Sequence, residues 1–285
     1  MSKPQIEMFE QDLFDGLQDE GATAIVVLSG GQDSTTCLYW ARHQGLNVHA
    51  VTFDYGQRHA RELQAARTVA RRCGVLSHEV VTLGPILHGT SPLVSGEDLE
   101  QYADYQHLPG GLEKTFVPMR NQLFLTLAAN RAYVQDARVL VTGVSEEDYG
   151  GYPDCRESFI NAFTETCNLG TFTGEGGAVD NLRVATPLMH LTKKETVELA
   201  VDLPGCYAAL AWSHTSYDGA YPPIGHDHAT LLREKGFAAA GWPDPLILRA
   251  YAEGLMELPA SDNYGPEALH RAMTLLEDSN WLEEA

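Results

Sequence analysis

The sequence predicts an α/β fold, a parallel sheet with helices on both faces, followed by a small helical and loop-rich C-terminal extension. Short continuous apolar runs alternate with longer segments of helical spacing, turn residues bound the runs, and glycines close the helical segments. The run "ATAIVVLSGG" reads as a strand buried on both faces, and "DSTTCLYWARHQG" as a helix stopped by Gly45. "LNVHAVTFDYG" is a second strand, "RHARELQAARTVARRCG" a helix closed by Gly74, and "SHEVVTL" a third strand. Right-handed crossovers lay this alternation into one parallel sheet. Residues 84 to 119, rich in Gly, Pro and polar side chains, are expected to form a functional or mobile loop. Beyond it "QLFLTLAANRAYVQDA" is a helix, "RVLVTGV" a strand, "RESFINAFTETCNLG" a helix, "VATPLM" a further strand and "TKKETVELAVDL" a helix. Residues 204 to 245 are expected to be loop-rich, with "DPLILRAYAEGLM" as a late helix. The expected organisation is an acidic, partly amphipathic extension (1–22), the α/β domain (23–203) and a C-terminal extension packed on the same domain (204–285).

Composition narrows the function. The chain has 285 residues, 44% of them hydrophobic, enough for a sizeable core. It carries 39 acidic against 19 basic residues, a formal net charge of −20, with no basic run longer than two residues. Such a surface repels phosphate backbones and anionic membranes, so neither nucleic acid nor a membrane is an expected partner. There is no run of about 18 apolar residues, and the first residues lack a basic start and apolar stretch, so the expected location is the cytoplasm. The five cysteines (Cys37, Cys73, Cys155, Cys167 and Cys206) are scattered and never form a CxxC pair. They read as reduced thiols, with Cys37 on a buried helix face.

Between the first strand and first helix stands "LSGGQDSTT": Leu28, Ser29, Gly30, Gly31, Gln32, Asp33, Ser34, Thr35 and Thr36. Glycines let backbone amides approach an anion, the helix start adds its positive dipole end, and Ser29, Ser34 and Thr35 offer hydroxyl donors. No lysine follows the glycines as in the Walker A loop, and their spacing is not that of the dinucleotide fingerprint. "SGGQDS" resembles the signature of the PP-loop ATP pyrophosphatases, whose fold is Rossmann-like (adenine nucleotide alpha-hydrolase-like). That resemblance implies ATP cleaved between the α and β phosphates, Mg²⁺ as cofactor with Asp33 bearing on it, and Ser34 on phosphate.

Four further motifs, "VTFDYGQRH" (51–59), "TFVPMRNQLFLTLAA" (115–129), "TGVSEEDYGGYPDCRESF" (142–159) and "TPLMHLTKKE" (186–195), are together similar to the 7-cyano-7-deazaguanine synthase family, from about Ala24 to Phe237. The resemblance implies a ligase of queuosine biosynthesis that uses ATP, ammonium and 7-carboxy-7-deazaguanine, and a homodimer. Turning a carboxylate into a nitrile requires activation, attack by ammonia, reactivation and dehydration, so the site has to hold an adenylate, a planar base and phosphate charge. Arg58, Arg120 and Lys193 are the expected cations, acting with Asp33 as the catalytic set. His59 would steer a proton or bond phosphate. Tyr55, Gln57, Asn121, Tyr152 and Asp154 are expected around the base, Tyr152 as a stacking face and Asp154 as acceptor for the guanine-type edge, or else as a turn aspartate after Pro153. Of Glu146, Glu147 and Asp148 at least two read as a solvated loop face. Met119 departs from the family, which usually has glycine there, and this bears on pocket shape.

The resembled family also carries four cysteines that hold a structural zinc. Their positions fall on Ser216, Ile224, Asp227 and Thr230. With no thiolate left, zinc is expected to be absent; His214, His226, Asp227 and His228 are the residues that could have rebuilt a metal site. The rival expectations are a diverged homologue that stops at the amide or uses another amine, a tRNA-thiolating relative and a non-catalytic nucleotide-binding module.

Overall fold

The computed structural model describes residues 21–56, 61–89, 91–95, 100–107, 112–146, 151–172, 181–217, 219–223, 225–277 and 279–283. Its five strands are β1 (Thr23–Val27), β2 (Asn47–Asp54), β3 (Ser77–Thr82), β4 (Val139–Val141) and β5 (Arg183–Ala185). All pair in parallel in the order β3-β2-β1-β4-β5. The helices are α1 (Gln32–His43), α2 (Arg61–Cys73), α3 (Pro92–Ser95), α4 (Arg120–Val134), α5 (Glu157–Cys167), α6 (Lys193–Asp202), α7 (Cys206–Leu210), α8 (His228–Ala240), α9 (Pro245–Ala252) and α10 (Pro266–Leu276). None of them is long and apolar enough to cross a membrane.

The alternation of β1 explains the two layers. Ala24 and Val26 face one core with Leu28, Leu38, Trp40 and Val69, while Ile25 faces the other with Phe53, Leu125, Leu140 and Phe163. Both faces are therefore apolar, as the continuous run of β1 demands. Leu210, Phe237, Leu248, Ala272 and Leu276 belong to the first core, so residues after 204 pack against the same face of the sheet as α1.

Residues 204–245 depart from the loop-rich expectation, because they contain α7 and the thirteen residues of α8. Asp227 caps α8 by accepting the Thr230 amide, and Gly241 closes it in the left-handed conformation at φ 68°. Helix α10 was likewise not anticipated; Pro266 opens it. A buried ion pair locks α8 to α9: Arg233 Nε and one terminal nitrogen donate to Asp244 at 2.6 and 2.8 Å, with side chains 3% and 6% exposed. Asp244 also accepts the Leu246 amide as the cap of α9.

Met119, immediately before α4, sits at φ 65° with its side chain 59% exposed. This left-handed conformation favours glycine and strains a side chain with a Cβ, which is the physical reason a glycine suits that position. The exposed side chain points away from the core, so the departure acts on the backbone before it acts on any pocket.

Two stability predictions follow from these contacts. Asp244→Ala leaves Arg233 buried and unpaired and should cost about 3–5 kcal/mol in urea denaturation. Met119→Gly should instead stabilise the fold by about 1 kcal/mol in the same assay, since relief of the left-handed strain outweighs the added freedom of the unfolded chain.

Candidate active site

The strand order reverses between β1 and β4, and in open α/β sheets ligands bind in the crevice beyond the carboxyl ends at such a point. A cavity of about 350 Å³ opens there, lined by residues that follow β1, end β2, follow β4 and begin α4, α6 and α8. That volume lies within the range of small-molecule sites.

One side of the cavity is the turn from Leu28 to Ser34. Gly30 takes φ 86°, and a Cβ on it would stand 2.6 Å from the Glu62 carbonyl oxygen and 2.7 Å from the Ala66 amide. Only glycine fits. A Cβ on Gly143, after β4, would meet the Asp33 carbonyl carbon at 3.1 Å, so a second segment presses on the same turn. The Ser29 and Ser34 hydroxyls lie 2.9 Å apart, and Ser34 Oγ accepts the Ser29 amide at 3.2 Å. Gln32 is buried, lines the cavity, and its Nε2 has no hydrogen-bond partner among the described residues.

Lys193 reaches this turn from α6. Thr192 caps that helix in a capping box with Glu195, fixing Lys193 at the first helical position. Its Nζ donates to Asp33 Oδ2 at 2.7 Å, both side chains being largely buried. From the other direction the His214 amide donates to Gly30 O at 2.8 Å, and burial holds the His214 imidazole below its ordinary pKa.

The second group of lining residues surrounds Arg120, the first residue of α4. Burial would lower the guanidinium pKa, but Tyr55, Tyr217, Tyr152 and Asp154 act on it to raise the value. Phe124 stacks on Phe53 at 4.5 Å between ring centroids and lies 5.2 Å from Tyr55. The Tyr152 ring lies against Phe116, its hydroxyl 2.6 Å from Thr115 Oγ1, and burial pushes its pKa up to about 12. Asn121 donates to the Asp154 carbonyl at 3.3 Å, tying the Pro153–Cys155 turn to α4.

Most of the expected residues converge. Leu28, Ser29, Gly31, Gln32, Asp33 and Ser34 line the cavity, as do Tyr55, Arg120, Asn121, Tyr152 and Lys193. Arg58, Gln57 and His59, and with them Glu147, Asp148 and Ile224, lie outside the described residues. Thr35 and Thr36 are not among the lining residues described: both are 0% exposed, and their hydroxyls donate back to Gly31 O at 2.8 Å and Gln32 O at 3.0 Å. Gly30 serves the close approach of α2, and neither it nor the buried Asp154 is among the lining residues described; burial raises the Asp154 carboxyl against the pull of Arg120. Glu146 accepts the Glu157 amide at 2.9 Å, which caps α5.

Sequence reasoning passed over Glu62, Tyr217, Arg233 and the indoor position of His214, all on the cavity wall. Glu62 lies in the first turn of α2, where nothing in the sequence pattern points to Arg120 on another helix. Burial pushes its carboxyl up to about 7, with Arg120 pulling the other way. Asp33 and Glu62 are the only carboxylates among the lining residues described.

The positions matching the four zinc cysteines do not fit a zinc ion. Ser216 and Thr230 hydroxyls both donate to Asp227 Oδ2 at 3.0 Å, and the Thr230 amide fills Oδ1 at 3.0 Å. His214 Nε2 lies 2.6 Å from Ser216 O, His226 is exposed, and no group of three His, Cys, Asp or Glu side chains among the described residues could hold a metal. Hydroxyls and one carboxylate already engaged make a poor set for zinc.

The chain matches the profile of the family described as "Queuosine biosynthesis protein QueC" over residues 23–241. It is 51% identical over 225 residues to a 7-cyano-7-deazaguanine synthase of Gloeobacter violaceus, covering 78% of this chain and 94% of that protein. Proteins of the same name from Chromobacterium violaceum and Laribacter hongkongensis are 49% identical over 240 residues and 47% over 228, covering 81% and 79% of this chain and 95% and 94% of theirs. Because the match takes in the Ser29–Ser34 turn, Arg120, Lys193 and the start of α8, and so every segment that walls the cavity, this chain belongs to the QueC family of queuosine biosynthesis proteins.

Proposed function

We propose that this enzyme converts 7-carboxy-7-deazaguanine, ammonia and ATP into 7-cyano-7-deazaguanine (preQ0), as a homodimer in the cytoplasm without nucleic acid or membrane. The observation that carries the reading is one cavity in which two cations have different surroundings, Lys193 beside a glycine turn and Arg120 among aromatic side chains, while the third, Arg233, is committed to Asp244. The first suits a triphosphate and the second a planar base bearing a carboxylate. The names of the relatives support the same chemistry.

In this reading Ser29, Gly31, Gln32 and Ser34 receive the phosphates. Gln32 Nε2, a buried donor with no partner among the described residues, is a natural contact for phosphate oxygen. Lys193 stabilises the charge that grows as pyrophosphate leaves. Magnesium, where bound, would neutralise triphosphate charge, and Asp33 is the carboxylate of the turn suited to hold it. Arg120 orients the substrate carboxylate, Tyr55, Asn121 and Tyr152 hold the deazaguanine ring, and Asp154 acts on Arg120 from behind. The carboxylate oxygen attacks the α-phosphorus, ammonia displaces AMP from the acyl carbon, and a second adenylation of the amide oxygen precedes loss of AMP and formation of the nitrile. Glu62 is the group suited to take the proton from ammonium, since a carboxyl near 7 accepts and returns a proton at neutral pH.

Mass spectrometry of the products formed from ATP, magnesium, ammonium and 7-carboxy-7-deazaguanine tests the reaction. A nitrile supports the proposal; an amide as the final product, or no substrate-dependent release of pyrophosphate, refutes it. Lys193→Ala should lower pyrophosphate release at least about 10²-fold, because a charge developed only in the transition state loses its counter-ion. The carboxylate form of Glu62 predominates only above about 7, so ammonia-dependent turnover should fall as pH drops through that value. Glu62→Gln should lose that dependence and about 10²-fold in turnover while retaining carboxylate-dependent exchange of pyrophosphate into ATP. Equal loss of the exchange would remove Glu62 from the ammonia step.

A further inference from the structure

Three of the four positions that match the zinc cysteines meet in space. Ser216 is 1% exposed, Asp227 1% and Thr230 8%, and three donors converge on the single Asp227 carboxylate at 3.0 Å each. The arrangement joins two segments of chain. Ser216 belongs to the stretch whose His214 amide holds Gly30 O, and Asp227 starts α8, whose His228, Ala229, Leu232 and Arg233 wall the cavity. Thr215 Oγ1 reaches Ala229 O at 3.5 Å and adds to the same junction. A carboxylate with both oxygens taken by donors is satisfied as an acceptor. Hydrogen bonds to a charged group are the stronger ones, and three on a buried group fix its geometry.

We infer that Asp227 is a positioning residue: by bridging Ser216 and Thr230 it fastens the 213–217 segment to the start of α8, and so sets the wall beside the phosphate turn with hydrogen bonds in place of a metal. The chain thereby reaches its fold without zinc. What this does for ATP rests on the proposed function, whereas the metal content and melting of the protein do not.

The test uses the full chain, expressed with zinc in the medium and purified without chelator. The expected result is zinc far below one ion per chain and a melting temperature that o-phenanthroline does not move. Stoichiometric zinc whose removal lowers the melting temperature would overturn the inference. Asp227→Ala should lower melting by about 5 °C through loss of the cap and both hydroxyl bonds, and should raise the KM for ATP about tenfold with kcat nearly unchanged. Asp227→Asn keeps an acceptor for the Thr230 amide and should recover most of both. If Asp227→Ala does not fold, Ser216→Ala with Thr230→Val removes only the hydroxyl donors and is read in the same two assays; unchanged melting and unchanged KM would refute the positioning role. Finally, the combined variant Ser216→Cys, Asp227→Cys and Thr230→Cys should bind one zinc per chain, because three thiolates are enough for a site that water completes. Failure of the folded variant to bind zinc would mean that these positions do not converge as described.

Discussion

The backbone around Gly30 carries more of this molecule than its size suggests. The α2 backbone at Glu62 and Ala66 approaches it so closely that a Cβ would collide, the His214 amide donates to its carbonyl, and Gly143 lies against the neighbouring Asp33. Each contact comes from a different part of the chain, and each forbids the others to move. A turn gripped on three sides keeps one conformation, and its own hydroxyls add to the hold, Ser34 Oγ accepting the Ser29 amide and Ser29 Oγ the Gly31 amide. The turn forms one side of the cavity, and Lys193 reaches it through Asp33.

Electrostatics work at two ranges. The whole chain carries a formal charge of −20, which repels an approaching nucleotide at a distance. The cavity wall brings Lys193, Arg120 and Arg233 together with Asp33 and Glu62, Lys193 being paired with Asp33 and Arg233 with Asp244. At physiological ionic strength the Debye length is about 8 Å, so the far field is screened while contacts within the cavity survive. In the proposed reading an anionic ligand is repelled at long range and meets Lys193 and Arg120 only at contact distance.

The parts of this fold that were legible in the sequence are those set by local pattern. Apolar runs closed by glycines disclosed the strands and the first helices, and the Ser29–Ser34 turn stood out because glycines and hydroxyls cluster between a strand and a helix. What escaped depended on tertiary placement. Thr35 and Thr36 look like phosphate donors until the helix turns them inward to Gly31 and Gln32. Glu62 went unmarked because the helical spacing of α2 says nothing about Arg120, contributed by another helix. Helix α8 has ordinary start and stop signals, Asp227 three residues before Thr230 and the later Gly241, but its segment follows prolines and glycines that read as loop.

The hydrogen bond between residues 30 and 214 also has a meaning for synthesis on the ribosome. Strand β1 and the turn after it emerge early, but the amide that completes the grip on Gly30 emerges only after all five strands have been made. Contacts of such long sequence separation form late and slowly. The nascent N-terminal half consequently waits with an unfinished turn and an uncovered apolar face, until α7, α8 and α10 arrive to close it. A truncated product stopping before residue 214 would carry the residues of the turn without the amide that holds the Gly30 carbonyl.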